Sequence, residues 1–268
     1  MTNKSSLTDG QKIIKYTAMT LAILLIAGIA SGIAGIIEAI FGEGLLGEMR
    51  RYEVTEDVTE LEMEIGGGAF SVVYAEGFAV ESNIASLNVS ASRGKLRVKE
   101  KITFGRTDGG AKIILYVPEN FVFETAEIET GAGDFNLSSF SAKQLSLSLG
   151  AGKVVIGELT VTGEAEIDGG AGAFTINGGS IRSLDFDMGV GDAQIRTELL
   201  GQCELNFGIG KASITLLGGA ENYKLDIEKG IGRVTVGGEE QHGSTVYGIG
   251  NTLVDIECGI GEVNVSFE

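Results

Sequence analysis

The sequence predicts an all-β fold: a β-solenoid-like stack of ~20-residue two-strand repeats, preceded by one N-terminal transmembrane helix. Three observations carry this expectation. A Gly-x-Gly turn recurs at Gly131-Ala132-Gly133, Gly150-Ala151-Gly152, Gly170-Ala171-Gly172, Gly189-Val190-Gly191, Gly208-Ile209-Gly210, Gly230-Ile231-Gly232 and Gly259-Ile260-Gly261. The residues on either side of each turn alternate between apolar and polar. A long apolar run lies near the N-terminus. A fixed period with constant local chemistry means one supersecondary unit stacked many times.

Taken in chain order, residues 1–15 form a polar tail that carries Lys4, Lys12 and Lys15. Residues 16–41 read YTAMTLAILLIAGIASGIAGIIEAIF, with Glu38 as the single charge. As a helix this run would measure roughly 39 Å, enough to cross a hydrocarbon layer of ~30 Å. A cleaved signal peptide is the rival reading, but its apolar region spans only about 7–15 residues. Gly28, Gly32 and Gly35 give a small-residue face on which two such helices could pack, although glycine and alanine are common in membrane helices generally. Cations cluster before the run, against Arg50 and Arg51 after it. The positive-inside rule then places the N-terminus in the cytoplasm and the C-terminal domain outside the cell membrane. Residues 42–52 read as a juxtamembrane linker.

Residues 53–125 read as an irregular N-terminal β region that caps the stack. It holds an early relative of the repeat, Leu61-Glu62-Met63-Glu64-Ile65-Gly66-Gly67-Gly68-Ala69-Phe70. Two further strands follow, Gly94-Lys95-Leu96-Arg97-Val98 and Lys112-Ile113-Ile114-Leu115-Tyr116-Val117-Pro118. A cap is needed because an open solenoid end presents unpaired strand edges.

Residues 126–268 read as the glycine-cornered solenoid. Five, three and one residues before each turn stand inward positions such as Leu145, Leu147, Leu149; Ala165, Ile167, Gly169; and Leu184, Phe186, Met188. The pattern continues in Cys203, Leu205, Phe207; Leu225, Ile227, Lys229; and Val254, Ile256, Cys258. Past the turns it resumes with pairs such as Phe135 and Leu137, Val154 and Ile156, Phe174 and Ile176. Such alternation marks strands buried on one face. Parallel stacking of equivalent strands is favoured by the repeated register; an antiparallel meander with Gly-x-Gly as hairpin turn is the competing arrangement. Cys203 and Cys258 fall at different points of different units, which argues for free core thiols rather than a disulfide. Lys229 breaks the inward pattern and must escape at the corner or pair with a carboxylate.

Outward positions two and four residues before the turns are strongly acidic: Glu127, Glu129, Glu166, Asp168, Asp185, Asp187, Glu204, Asp226, Glu228, Asp255 and Glu257. Stacked in parallel they would form an acidic ribbon, which is locally destabilising. It reads either as a surface for divalent cations or a cationic partner, or as a solvated face that keeps exposed strands soluble. Ser146, Ser148 and Asn206 interrupt it, and Lys153, Lys211 and Arg233 just past the turns are placed to offset part of it.

Other chemistry is mostly excluded. The formal charge of −17 argues against nucleic acid. His242 is the only histidine and the two cysteines form no Cys-x-x-Cys pair, so neither a histidine triad nor a zinc centre is expected, and no cofactor is implied. The Gly-x-Gly turns join strand to strand instead of opening a helix, unlike a dinucleotide fingerprint. No catalytic residues are assigned.

The run from Gly94-Lys95-Leu96-Arg97-Val98 through Leu115-Tyr116-Val117-Pro118 to Glu127-Ile128-Glu129-Thr130-Gly131-Ala132-Gly133-Asp134 resembles the bacterial domain-of-unknown-function 4097 family. The likeness extends over roughly residues 53–268. Members are labelled adhesins or β-strand-repeat proteins. The resemblance implies a β-solenoid-like domain, often membrane-tethered, with no established catalytic residue or ligand. The expected function is a membrane-anchored, non-enzymatic cell-surface module for protein or envelope contacts. The alternatives are an envelope-stress accessory acting on a membrane sensor, and a scaffold that self-associates through its open ends as a homo-oligomer.

Overall fold

The computed structural model describes residues 46–100 and 110–268. The helix expected over residues 16–41, with Gly28, Gly32 and Gly35, lies outside the described residues. Among the described residues no helix is long and apolar enough to cross a membrane.

The described chain is all β, with one 3₁₀ turn at Ala220–Asn222. The strands are β1 Leu46–Glu53, β2 Val58–Gly67, β3 Ala69–Ala75, β4 Ala79–Ile84, β5 Leu87–Ser92, β6 Gly94–Glu100, β7 Lys112–Pro118 and β8 Phe123–Val161. They continue with β9 Ala165–Ile176, β10 Gly179–Arg182, β11 Leu184–Leu200, β12 Gln202–Leu216, β13 Tyr223–Val236, β14 Glu239–Glu240, β15 Thr245–Tyr247 and β16 Thr252–Phe267. Most of β1 falls in the stretch 42–52 read as a linker.

Parallel stacking holds, and the meander does not. The second coil of β8 pairs in parallel with β9, β9 with β11, and β11 with β12. Leu147, Ile167, Phe186 and Leu205 share one register, and all four are buried. Phe174 meets Phe186 edge-on with ring centroids 5.1 Å apart, and Phe186 lies 5.7 Å from Phe207. Full burial of one such side chain stabilises by about 1.5–3 kcal/mol. The repeated apolar columns are therefore what hold the coils together.

Three expectations are corrected. First, Gly-x-Gly does not join two separate strands: β8 runs extended through two corners over 39 residues. The second glycine adopts φ +139 at Gly152 and +140 at Gly191, which bends an extended chain without reversing it. A Cβ on Gly191 would lie 1.8 Å from the Gly172 carbonyl oxygen of the coil beneath, so both conformation and space demand glycine there.

Second, the repeat has more than two sides. β10 pairs in parallel with Leu159–Val161 of β8 and with Glu198–Leu200 of β11, burying Leu159, Ile181 and Leu199. This short third column closes the middle coils.

Third, spatial order departs from chain order. β16 lies between β12 and β13, so Gly232 stacks on Gly261, and Gly261 stacks on Gly210. The long interval before Gly259 is the path back to that slot. One more Gly-x-Gly in the sequence, Gly248-Ile249-Gly250, lies on this path and is no coil corner; the Gly250 N–H donates to the Tyr223 carbonyl at 3.1 Å.

At the opposite end β2 and β3 form a complete coil that pairs in parallel with β8. β6 lies against β2 and β7 against β3, both parallel. Antiparallel strands then finish the edges: β5 on β6, β4 on β7 and β1 on β4. β14 and β15 cover parts of β13 in the same way. Short antiparallel strands leave less unpaired edge than a bare coil would.

Candidate interaction surface

The acidic positions form two straight columns on the outside of the coils. One column runs through Ser146, Glu166, Asp185, Glu204, Asp255 and Asp226. The other runs through Ser148, Asp168, Asp187, Asn206, Glu257 and Glu228. Glu127 and Glu129 continue them toward the N-terminal coil, where Glu62 pairs with Glu127 and Glu64 with Glu129. The register thus brings the eleven acidic positions expected there onto one face. Parallel neighbours are about 4.8 Å apart, so successive carboxylates stand close. A shallow open depression runs beside the second column, lined by Glu129, Ser148, Asp168 and Asp187 and the backbone of Gly150, Gly170 and Gly189.

Electrostatics differ between the two ends. At the N-terminal coil Lys99 lies 2.6 Å from Glu62 and 3.1 Å from Glu64, and Arg97 lies 3.2 Å from Glu62. Lys95 reaches Glu60 at 3.1 Å. The hydrogen bond from Lys99 holds the Glu62 carboxyl below its usual range, with Lys95 and Arg97 adding to the effect. Toward the C-terminal coils the trend inverts. Partial burial pushes the Asp185 carboxyl up, followed by the charges of Asp187, Glu204, Glu166 and Asp168. Glu257 is raised in the same way, by burial first and then by Glu228, Glu204, Asp187 and Asp255.

Local hydrogen bonds moderate the crowding at two places. The Ser148 hydroxyl donates to Asp168 at 3.3 Å, and the Asn206 amide donates to Glu204 at 3.1 Å. The cations past the corners do not relieve the ribbon, contrary to the sequence expectation. Lys211 stands in register between Asp192 and Glu262, and Arg233 beside Glu262, in a separate column beyond the glycine bend. Among the described residues no ion pair joins Lys153, Lys211 or Arg233 to the ribbon, and Arg233 lies 3.7 Å from Glu240.

The partners of the N-terminal cations were missed in the sequence. Lys95, Arg97 and Lys99 alternate with the period of Glu60, Glu62 and Glu64, and that complementary pattern is the signal for pairing β6 on β2. Lys229 escapes at the corner: its ammonium donates to the Gln241 carbonyl at 3.1 Å. Cys203 is buried, Cys258 is half-buried, and both are free thiols. Burial and the Glu257 charge push the Cys258 thiol up to about 11. His242 is exposed in the loop after β14. Among the described residues no three His, Cys, Asp or Glu side chains are grouped to hold a metal ion.

The parallel coils, glycine column and antiparallel caps can now be set beside known proteins. The Toastrack DUF4097 family model matches residues 77–265. The chain belongs to this family. Of the solved structures similar to this member, one is titled a putative cell adhesion protein from Clostridium sporogenes, with 15% identity and a TM-score of 0.37, covering 82% of this chain and 99% of that one. Another, a putative adhesin from Bacteroides fragilis, has 13% identity and a TM-score of 0.31 over 81% of this chain and 96% of that one. A third, titled a putative lipid binding protein from Parabacteroides distasonis, has 13% identity and a TM-score of 0.33 over 81% and 96%. No curated protein matches the chain.

Proposed function

We propose that this Toastrack-family chain is a non-enzymatic, membrane-anchored module that holds its β stack outside the cell membrane. In this reading Glu166, Asp168, Asp185, Asp187, Asp226, Glu228, Asp255 and Glu257, continued by Glu127 and Glu129, form the face that meets a protein or envelope partner. The observation that carries it is the registered double column of carboxylates, kept exposed over successive coils despite its electrostatic cost. A surface of that length suits extended contacts, as stacked-repeat proteins generally provide. The apolar run over residues 16–41 supports the anchor, and the cations that precede it support the orientation.

Two experiments test this. A membrane-impermeant thiol reagent on intact cells should label a Ser213→Cys chain; labelling only after lysis would sink the orientation. Crosslinking from intact cells should recover partners that are lost when Asp185→Asn, Asp187→Asn, Asp255→Asn and Glu257→Gln are combined. Unchanged partners with that folded variant would remove the ribbon from the proposal.

A further inference from the structure

The position of β16 is the least expected feature of the fold. Neighbouring coils are joined by short segments: seven residues, 177–183, lie between the inward Ile176 and Leu184, and seven, 196–202, between Ile195 and Cys203. The segment from Ile214 to Leu225 is only slightly longer, yet its two strands lie two layers apart. The chain then continues past β13 and returns through residues 237–251 to place β16 in the gap.

The gap is defined by the repeat register. β16 pairs with β12 from Gln202 opposite Leu253 to Leu216 opposite Phe267. It pairs with β13 from Tyr223 opposite Thr252 to Val236 opposite Val265. Both walls carry the same glycine corner, so a strand fits by its alternating apolar residues and its Gly-x-Gly. β16 is joined to the strand before the gap, β13, through residues 237–251. Its end is held by the Arg196 guanidinium, which donates to the Glu268 carboxylate at 2.7 Å, and by Gly218 and Gly219 N–H groups on the Glu268 carbonyl at 2.7 and 3.0 Å.

The returning segment has the character of a hinge. It contains only the two-residue β14 and three-residue β15, and Gly237, Gly238, Gly243 and Gly248 all take positive φ. A side chain at Gly237, Gly238 or Gly243 would meet nothing within 4 Å. Fully extended, residues 237–251 reach roughly 50 Å. Apolar exposure is concentrated in the same place. Of the eight exposed large hydrophobics among the described residues, Ile231, Val246, Ile249 and Leu253 lie in this hinge or beside it, and Ile249 is 96% exposed.

We infer that the slot between β12 and β13 accepts the C-terminal coil of a second copy, giving a strand-exchanged dimer with residues 237–251 as the hinge. Within each slot the exchanged coil makes the contacts that the chain's own coil makes, so exchange costs only the hinge rearrangement and the entropy of association. The two hinges then cross side by side, and Val246 and Ile249 of one copy lie against those of the other. That contact gives the exposed apolar residues a partner and favours the dimer as concentration rises.

The experiment uses the full chain in detergent micelles. In a Cys203→Ala, Cys258→Ala background, one tagged copy carries Ser213→Cys and a differently tagged copy carries Asn264→Cys, two exposed positions directly opposite in register. Co-expression should give a disulfide-linked heterodimer, whereas one chain carrying both cysteines should close within itself. Removing His242–Ser244 shortens the hinge and should raise the dimer fraction several-fold, because a strained short hinge favours exchange. The unsubstituted chain, concentrated and gently warmed, should show a dimer by light scattering. Internal closure without any heterodimer, or a native chain that stays monomeric throughout, overturns the inference.

Discussion

Replacing Gly191 by alanine tests the stacking at its tightest point. The φ of +140 at Gly191 is one that alanine adopts only under strain, at a cost of about 1–3 kcal/mol. The added Cβ would also lie 1.8 Å from the Gly172 oxygen and 2.8 Å from the Gly172 carbonyl carbon. Both belong to backbone, so the coils themselves must separate. Losing two or three ladder hydrogen bonds there costs about 2–3 kcal/mol more. The sum, about 3–6 kcal/mol, approaches the whole stability of many domains. Gly77→Ala is the matched control, because a Cβ there meets nothing within 4 Å and φ is not positive. Guanidinium unfolding followed by far-ultraviolet circular dichroism should show Gly191→Ala with a much lower midpoint and Gly77→Ala near the parent. A Gly191→Ala chain within about 0.5 kcal/mol of the parent would refute the close glycine column.

Four further outcomes follow from the described geometry. Phe186→Ala removes a fully buried ring between Phe174 and Phe207, and calorimetry should register a loss of about 3–5 kcal/mol. Asp185 and Glu257 have folded pKa values raised above the unfolded ones, so their penalty is greatest at neutral pH and disappears as pH falls through the folded values. Asp185→Asn should therefore raise the melting temperature at pH 7 and have a smaller effect near pH 4; an equal gain at both would contradict the ribbon's repulsion. Glu62 is shifted the opposite way, so its contribution is lost as the solution is acidified, and Glu62→Gln should lower the melting temperature at pH 7 more than in acid. With its thiol pushed up to about 11, Cys258 should react slowly with a disulfide reagent at pH 8 and faster as pH rises toward that value. Fast labelling at pH 8 would contradict its half-buried placement.

Much of this architecture is readable from the residues themselves. The inward positions from Leu145 to Val265 follow from period-two alternation, and Gly131 to Gly261 set the shared register. The acidic columns follow once strands stack in parallel. Neighbour order is not encoded locally, because the segments around Gly208, Gly230 and Gly259 carry nearly the same pattern and each could lie against either of the others. The third column is equally hidden, since Gly179-Ser180-Ile181-Arg182 buries a single large apolar residue and gives no alternation to detect. Lys153, Lys211 and Arg233 are close to the ribbon in sequence, but the intervening glycine bend directs them to another face. The pairing of β6 on β2 joins segments more than thirty residues apart and leaves only complementary charge as its trace.

The asymmetry of the ribbon has a mechanical consequence. Its N-terminal coil is balanced by Lys95, Arg97 and Lys99, whereas among the described residues no ion pair compensates the ribbon on the coils from Glu166 to Glu228. Uncompensated ribbon carboxylates are consequently concentrated on the coils beyond β8. Near any anionic layer that face is repelled more strongly at the coils from Glu166 to Glu228 than at the N-terminal coil, which biases the stack's orientation. Alignment of this kind needs no stiff tether, and it weakens as the Debye length shortens with added salt.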